Sequence, residues 1–200
     1  MINLFSIQES AWQSVKDNYS NKDRFYHNDS HVFSMITEVS KINLTETDKF
    51  ILNIATIFHD AIYDTSQKDI LNVEASAKLF LLWFQNNQSI IANIYHLFEK
   101  EDISKNMLSD IIFNLILSTS NHKPNSFFED NHFEYTFSLR LNNLVNIFLD
   151  LDLMILASDS KKYLNYAENI LKEYSTFDKT TLLNGRLNFL KNMQKKTNVF

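Results

Sequence analysis

Apolar residues recur along most of the chain at intervals of three and four positions. Val32, Met35, Ile36 and Val39 follow this spacing, and so does the apolar series within residues 50–62. This spacing is the period of one face of an α-helix. The series at 50–62 is apolar around much of the helical circumference, so we expect that helix to lie at the centre of the core.

Residues that cap helices precede most of these apolar stretches. Side chains of Ser, Thr, Asn and Asp accept hydrogen bonds from the free N–H groups of a first helical turn. The expected capping positions are Ser6 or Ser10, Asn28-Asp29-Ser30, Thr45, Asn72, Ser104, and Asp159 or Ser160. Thr45 to Asp48 resembles a capping box in which Asp stands in place of Glu. A long apolar segment ends at Ala157, and we expect a last helix over residues 180–194.

Composition supports the helical interpretation. One Gly and one Pro occur in 200 residues, whereas tight β-hairpin turns depend on Gly, Asn-Gly and Pro. Hydrophobic residues make up 44% of the chain and charged residues 22%, which is typical of a globular protein. No internal repeat, low-complexity stretch or linker divides the sequence. The prediction is therefore an all-α fold, with a single helical domain spanning residues 1–200.

Charge and residue usage exclude several classes of function. The net charge is −5 and no basic run stands out, so a nucleic-acid polymer is not an expected partner. The chain has no Cys, which excludes disulfides, thiolate metal ligands and a Cys nucleophile. Neither a signal peptide nor an apolar run of the ~18 residues that a membrane span requires is recognisable. We therefore expect a cytoplasmic protein with no membrane partner.

His59 and Asp60 form the most unusual polar pair, because they follow the apolar sequence NIATIF on a helix expected to be buried. Adjacent helical residues point about 100° apart, so periodicity alone does not place both on one solvated face. A buried His and Asp must be paired, hydrogen-bonded or bound to a metal. A divalent ion lying between them would bind both. The alternative is a helix end that reaches the surface, where both side chains are hydrated.

A second polar anomaly lies in the segment FLDLDLMIL. Asp150 and Asp152 are surrounded there by apolar residues, and ionised carboxylates are rare in such runs unless they have a partner. Either at least one faces an internal cation, or the helix has a polar edge. His31, in the first turn after Ser30, supplies a further imidazole. Two imidazoles and two carboxylates suit Mn, Fe, Co, Ni or Zn, and Mg when a substrate phosphate joins them. A water bound to that ion is the candidate nucleophile.

These separated pieces, H…HD…D, resemble the signature of the HD superfamily of metal-dependent phosphohydrolases. The sequence YHNDSH is also similar to the YHNxxH signature of cyclic-nucleotide phosphodiesterase catalytic domains, which belong to that superfamily. The whole chain resembles a family of uncharacterised bacterial proteins described as predicted metal-dependent HD-superfamily phosphohydrolases. The matching pieces, within residues 24–190, are RFYHNDSHV, ATIFHDAIYD, SA after an acidic residue, ILSTSNH, DLDLMIL, YLNYAENILKEY and GRLNFL.

The resemblance implies a helical bundle of the HD type and a role for each matching residue. The implied metal ligands are His31, His59, Asp60 and Asp152, with Asp152 preferred to Asp150. The implied catalytic residues are Asp60 and His27, which matches the phosphodiesterase histidine that protonates the leaving oxygen. Near Glu74 the chain departs from the family pattern, because Asn72-Val73 stands where Asn-Glu is usual; this puts a catalytic role for Glu74 in doubt.

Other polar residues are weaker candidates for the site. Arg24, His122 and Lys123 are the expected contacts for a substrate phosphate, and Arg186 is a further cation that could meet it. His122 could instead complement a helix dipole. Asp64 and Glu74 could form the rim of the cleft or bind a second cation. Aromatic residues at helical spacing are interpreted as core: Tyr163, Tyr166, Tyr174 and Phe177.

The resulting hypothesis is a metal-dependent phosphohydrolase that cleaves a phosphomonoester or phosphodiester of nucleotide type through a metal-bound water. Its expected partner is a small phosphorylated molecule, and a homodimer is compatible with the sequence. The alternative is a metal- or nucleotide-binding helical module without turnover, since membership of a fold family does not establish function. An HD oxygenase with two irons is a weaker alternative, because no second His-Asp pair is recognisable.

Overall fold

The computed structural model describes residues 3–101, 103–122 and 135–195. Within them the chain forms ten α-helices and one 3₁₀ turn, and no β-strand is found in these ranges. The helices are α1 (Leu4–Tyr19), α2 (Asp29–Lys41), α3 (Glu46–Phe58), α4 (Asp69–Asn86), α5 (Gln88–Ile91), α6 (Tyr95–Glu99), α7 (Lys105–Ser118), α8 (Tyr135–Leu153), α9 (Ser160–Glu173) and α10 (Lys179–Gln194), with the 3₁₀ turn at Met154–Ala157. The prediction of an all-α fold is confirmed.

Several of the expected caps are formed. The side chain of Asn28 accepts from the N–H of Ser30, and that of Thr45 accepts from the N–H of Asp48. The side chains of Ser104 and Asp159 likewise accept from N–H groups in the first turns of α7 and α9. Each cap satisfies an N–H group that has no partner within its helix, which fixes where the helix begins.

Two of the expected helix starts are wrong. The first helix is capped by Asn3, not by Ser6 or Ser10, and the Asn3 side chain accepts from the N–H of Ser6. The fourth helix begins at Asp69, so Asn72 lies in its first turn rather than before it. The buried amide of Asn72 instead bonds both backbone groups of Asp64, at 3.0 Å each. That pair of bonds closes the loop ahead of α4.

The third helix is the centre of the bundle, as its apolar circumference predicts. Ten of its 13 residues are buried, and only a narrow stripe is left towards solvent, formed by Glu46, Lys49 and Asn53. It packs against α1, α2, α4, α7 and α8. Its last residue, Phe58, is fully buried, so α3 ends inside the protein. His59 and Asp60 follow directly after this buried end.

An ion-pair cluster fixes the far end of the bundle. Asp48, in the first turn of α3, is 5% exposed and accepts from Arg140 Nη2 at 2.7 Å. Arg140 also pairs with Glu101. Since Arg140 lies on α8, these bonds hold that helix against the start of α3. The opposite end of α8 carries Asp152 towards the end of α3.

Within the described ranges no single helix is long and apolar enough to cross a membrane. The segments Phe137–Ala157 and Ser160–Glu173 reach the required length and hydropathy only as a pair, bent by 101°. Lys123, an expected substrate contact, lies outside the residues that the structure describes.

Candidate metal centre

The ends of three helices bring four polar residues to one point inside the bundle. His31 lies in the first turn of α2, His59 caps the end of α3 with Asp60 directly after it, and Asp152 precedes the last residue of α8. Both histidines are nearly inaccessible, at 6% and 1% exposure. The four residues that the sequence singled out are therefore neighbours in space, although 121 positions separate His31 from Asp152.

The orientation of His59 follows from the end of its helix. The last carbonyl groups of an α-helix have no partner within the helix. One of them, the carbonyl of Thr56, lies 2.8 Å from His59 Nδ1. Because a carbonyl only accepts, Nδ1 carries a proton, and in the neutral ring Nε2 keeps its lone pair. This is the tautomer that a metal ligand requires, fixed by a hydrogen bond on the opposite side of the ring.

The distances between donor atoms fit one divalent ion. His31 Nε2 and His59 Nε2 are 3.3 Å apart, and His59 Nε2 is 3.1 Å from Asp60 Oδ2. Asp152 Oδ1 lies 3.2 Å from the His31 nitrogen and 3.5 Å from the His59 nitrogen. Neighbouring ligands of an octahedral ion bound at about 2.1 Å are about 3.0 Å apart. The observed spacings are slightly longer than this value, and His31, His59 and Asp60 are close enough together to hold one ion.

Of the two aspartates in FLDLDLMIL, one belongs to the cluster with His31, His59 and Asp60. Asp152 reaches the histidines, whereas Asp150 is exposed on the other side of α8 and contacts none of them. The donor atoms of His31, His59 and Asp60 all lie within 4.8 Å of one another. Asp152 joins this group through its contacts with both imidazoles.

The electrostatics of the cluster favour a positive charge. Burial by itself raises the pKa of Asp152, but hydrogen bonds from His122, His31 and His59 hold it well below its usual range. Burial likewise opposes ionisation of Asp60, yet the charge of His59 lowers its pKa. Burial lowers the pKa of His59, but Asp60 and Asp152 raise it well above the ordinary value. Two buried carboxylates thus require a cation beside them, which a proton or a divalent ion can supply.

His27 lies beside the cluster and is held by a residue that the sequence did not reveal. Its Nδ1 is 2.6 Å from Glu173 Oε1, and the other oxygen of Glu173 accepts from the N–H groups of Tyr26 and His27. The His27 ring stacks on Tyr63 at 4.1 Å and is 6.1 Å from the His31 ring. Burial lowers the pKa of His27, but the hydrogen bond with Glu173 and the charge of Asp60 raise it above its usual value.

A signal for Glu173 was present in the sequence. The buried residues of α9 are Tyr166, Ile170 and Glu173, at intervals of four and three positions. A carboxylate on the buried stripe of an amphipathic helix requires a partner. Only the fold shows that this partner is His27, because 146 positions separate the two residues.

A cleft of about 430 Å³ opens beside the cluster. His27, Asp60 and Asp152 contribute to its wall. Asp69 also lines it: this carboxyl is open to solvent through the cleft, but the surrounding protein and nearby Asp60 raise its pKa to about 6. Small-molecule sites are concave and mostly apolar, with a few polar groups that converge. The cleft has this composition, and its polar residues include Asp60 and Asp152 of the candidate metal centre.

The aromatic residues in and after α9 were interpreted as core. Tyr166 is buried as expected, and it also lines the cleft. Tyr174 and Phe177 line the cleft as well, and Phe177 is 41% exposed, so the interpretation is wrong for Phe177. Helical spacing identifies the inward face of α9 but does not distinguish a packed core from the wall of a cleft.

Arg24 holds the two sequence motifs together. Its Nη1 donates to the carbonyls of Asp60, at 2.7 Å, and of His27, at 3.3 Å, while Nη2 donates to the carbonyl of Ala61. The residue is 9% exposed and is not part of the cleft wall. The structure therefore places Arg24 behind the site, where it positions His27 and Asp60, and not at the substrate contact expected from the sequence.

His122 contacts the cluster directly. Its Nε2 is 3.1 Å from Asp152 Oδ2, and its ring lines the cleft. Its φ of 49° is in the left-handed region, which few residues other than Gly adopt. The more peripheral candidates lie elsewhere: Asp64 bonds Ser66 in a loop, and Glu74 pairs with Lys78 on the exposed side of α4.

No protein-family model matches the chain, and neither the curated proteins nor the solved structures compared with it include a match. The resemblance to the HD superfamily thus stays a prediction.

Removal of one imidazole from the cluster is expected to abolish metal binding. Wild-type protein incubated with Mn²⁺ and then desalted should retain about one ion per chain, and His59→Ala should retain almost none. The matched control is His96→Ala, which removes an exposed histidine of α6. Elemental analysis measures the manganese content of the three proteins. Equal manganese in His59→Ala and His96→Ala would show that the cluster is not a metal site.

Proposed function

We propose that the protein is a metal-dependent phosphohydrolase that acts on phosphate esters of small molecules. The observation that carries this proposal is the convergence of His31, His59, Asp60 and Asp152 on one point beside a ligand-sized cleft, which the two aspartates line. The resemblance of the same residues to the HD signature supports the reaction class. A cytoplasmic location and a nucleotide-like substrate remain part of the proposal.

The four residues would hold a divalent ion of the Mn, Fe, Co, Ni, Zn or Mg type through two imidazole nitrogens and two carboxylate oxygens. Such an ion, when bound, lowers the pKa of a coordinated water and withdraws charge from a phosphoryl group. Arg24 contributes from behind, since its bonds to the carbonyls of His27 and Asp60 fix the backbone of both residues relative to each other. A group held in this way needs little rearrangement during the reaction.

His27 is the proton donor in this proposal. A leaving alkoxide must take up a proton as its bond to phosphorus breaks, and a histidinium near neutral pH suits that task. Glu173 is a positioning residue: it fixes the ring through Nδ1 and favours the protonated form. Nε2 is then the nitrogen of His27 that can deliver the proton. No hydrogen bond from Nε2 to another described residue competes for it.

Loss of a cluster carboxylate is expected to remove the activity. Hydrolysis of p-nitrophenyl phosphate with excess Mn²⁺ should be at least about 100-fold slower in Asp60→Asn than in wild type, because the ion and its water lose a ligand. The control is Asp150→Asn, which neutralises an exposed aspartate two residues from Asp152.

Comparable rates in Asp60→Asn and Asp150→Asn would contradict the hydrolase assignment. A wild-type protein that holds manganese tightly, yet forms no product from p-nitrophenyl phosphate or from nucleotides, would favour the metal-binding module without turnover.

Replacement of Glu173 should shift the pH dependence of the reaction. Protonated His27 is the required form, so kcat falls as pH rises through the pKa of His27 in the complex. Glu173 raises that pKa, and Glu173→Gln should therefore move the fall to lower pH by about one unit. The metal content should not change. A pH profile that coincides with that of the wild type would show that Glu173 serves only the packing of α9.

A further inference from the structure

Arg186 lies in the cleft wall with one edge of its guanidinium unused. Its Cζ is 4.7 Å from the ring centre of Tyr166 and 4.9 Å from that of Phe189. Nε and Nη2 are buried and form no hydrogen bond with the protein. None of the ion pairs among the described residues includes Arg186. Arg186 is half-buried, and apart from its contacts with Tyr166 and Phe189 two of its donor atoms lack an acceptor, so an anion is the expected partner for them.

The two unused atoms define the shape of that anion. In a guanidinium, Nε–H and Nη2–H point in nearly parallel directions from one edge of the plane. This edge matches two oxygens of a single carboxylate or phosphate group. The guanidinium lies over the rings of Tyr166 and Phe189, and neither cation–π contact uses the hydrogen atoms of Nε and Nη2 as hydrogen-bond donors.

The position of Arg186 relates this edge to the candidate metal centre. Tyr166 packs against Tyr26 with ring centres 4.4 Å apart, and Tyr26 packs against the imidazole of His31 at 4.9 Å. Tyr26, Tyr166 and Arg186 all line the cleft. One wall of the cleft thus leads from the cluster to the guanidinium through two aromatic rings.

A second set of contacts reaches the cluster from the other side of Arg186. The ring of Phe189 is 6.5 Å from that of His122, and His122 bonds Asp152 at 3.1 Å. The aromatic neighbours of Arg186 thus contact Tyr26 and His122, which in turn lie against His31 and Asp152. The guanidinium and the cluster therefore border the same cleft.

We propose that the cleft takes phosphate monoesters, with Arg186 binding two oxygens of the phosphoryl group. This inference rests on the proposed function. A monoester has three non-bridging oxygens and a diester has two. The guanidinium edge uses two of them, which leaves one for the metal centre in a monoester and none in a diester. Water then forms the new bond to phosphorus, the ester P–O bond breaks, the alcohol oxygen takes a proton, and inorganic phosphate is released.

The remaining cleft wall suits an ester with a planar organic group. Tyr63 and Tyr174 are joined through their hydroxyls at 2.7 Å, and Phe177 packs against Tyr174 with ring centres 6.2 Å apart. All three line the cleft. Such rings stack on flat groups. The volume of about 430 Å³ limits the organic part to a small molecule such as an aromatic alcohol or a nucleoside.

Binding of inorganic phosphate tests the role of Arg186 without requiring turnover. Phosphate binding to the wild type and to Arg186→Lys is measured by isothermal titration calorimetry, with and without Mn²⁺. The lysine keeps the positive charge but lacks the guanidinium edge formed by Nε and Nη2. The dissociation constant for phosphate should rise at least about tenfold in Arg186→Lys. Lys191→Ala is the matched control, because it removes an exposed charge of the same helix and should leave the constant unchanged. Arg186→Gln serves as a second variant if circular dichroism shows that Arg186→Lys is unfolded.

Unchanged phosphate affinity in the folded Arg186 variants, or no phosphate binding by the wild type, would overturn the inference. A comparison of the hydrolysis of p-nitrophenyl phosphate, a monoester, with that of bis(p-nitrophenyl) phosphate, a diester, tests the monoester inference separately from the proposed hydrolase function. The wild type should prefer the monoester by at least about tenfold in kcat/KM, and Arg186→Lys should lose most of that preference. A preference for the diester would overturn the monoester class while the hydrolase stands. Phosphate binding that depends on Arg186, with neither ester cleaved, would support the phosphate site and overturn the hydrolase.

Discussion

Two carboxylates and two imidazoles lie in contact at the inner ends of apolar helices, and much of the surrounding structure holds them there. Buried carboxylates are unfavourable unless a cation lies beside them. The protein fixes the turn after α3 from several directions. Tyr19 donates to the carbonyl of Ile57, Asn18 donates to that of Ala61, and Arg24 donates to those of Asp60 and Ala61. These bonds come from α1 and the loop after it, so the first helix serves the position of His59 and Asp60.

The cleft combines groups of opposite charge at different places. The cluster contributes carboxylates and imidazoles, Arg186 contributes a guanidinium, and His27 is paired with Glu173. This separation would orient an ester in the cleft, since its phosphoryl group is drawn to the ion and the guanidinium. The aromatic wall is then left for the organic part. Under the proposed function, such an arrangement would favour a transition state in which charge develops on the phosphoryl oxygens.

The sequence predicted much of the fold because the relevant signals are local. Helical periodicity identified α3 as the central helix, and the caps at Asn28, Thr45, Ser104 and Asp159 were correctly placed. The two short helices within residues 88–99 were not expected, since helices of four and five residues have too few positions to show a period. Asn72 was misassigned because its side chain bonds a distant loop residue, which a capping pattern does not reveal.

The candidate site was predictable where an apolar sequence made a polar residue conspicuous. His59, Asp60 and Asp152 stand out for that reason, and His31 stands out through the motif in which it lies. Contacts between distant segments were not predictable. His27 pairs with Glu173, and Arg24 lies behind the cleft wall, because of how the helices pack. The sequence around His27 does not indicate Glu173, and the sequence around Arg24 does not indicate the Asp60 carbonyl.

The most direct test of the central claim is the location of a bound ion. Crystals of the full chain grown with Mn²⁺ should give an anomalous difference peak at about 2.0–2.3 Å from Nε2 of His31 and His59 and from a carboxylate oxygen of Asp60 and Asp152. A peak at that point would establish these four residues as the ligands. A peak elsewhere, or a well-ordered cluster that stays free of manganese, would show that the polar residues at the ends of these helices are structural and would contradict the claim.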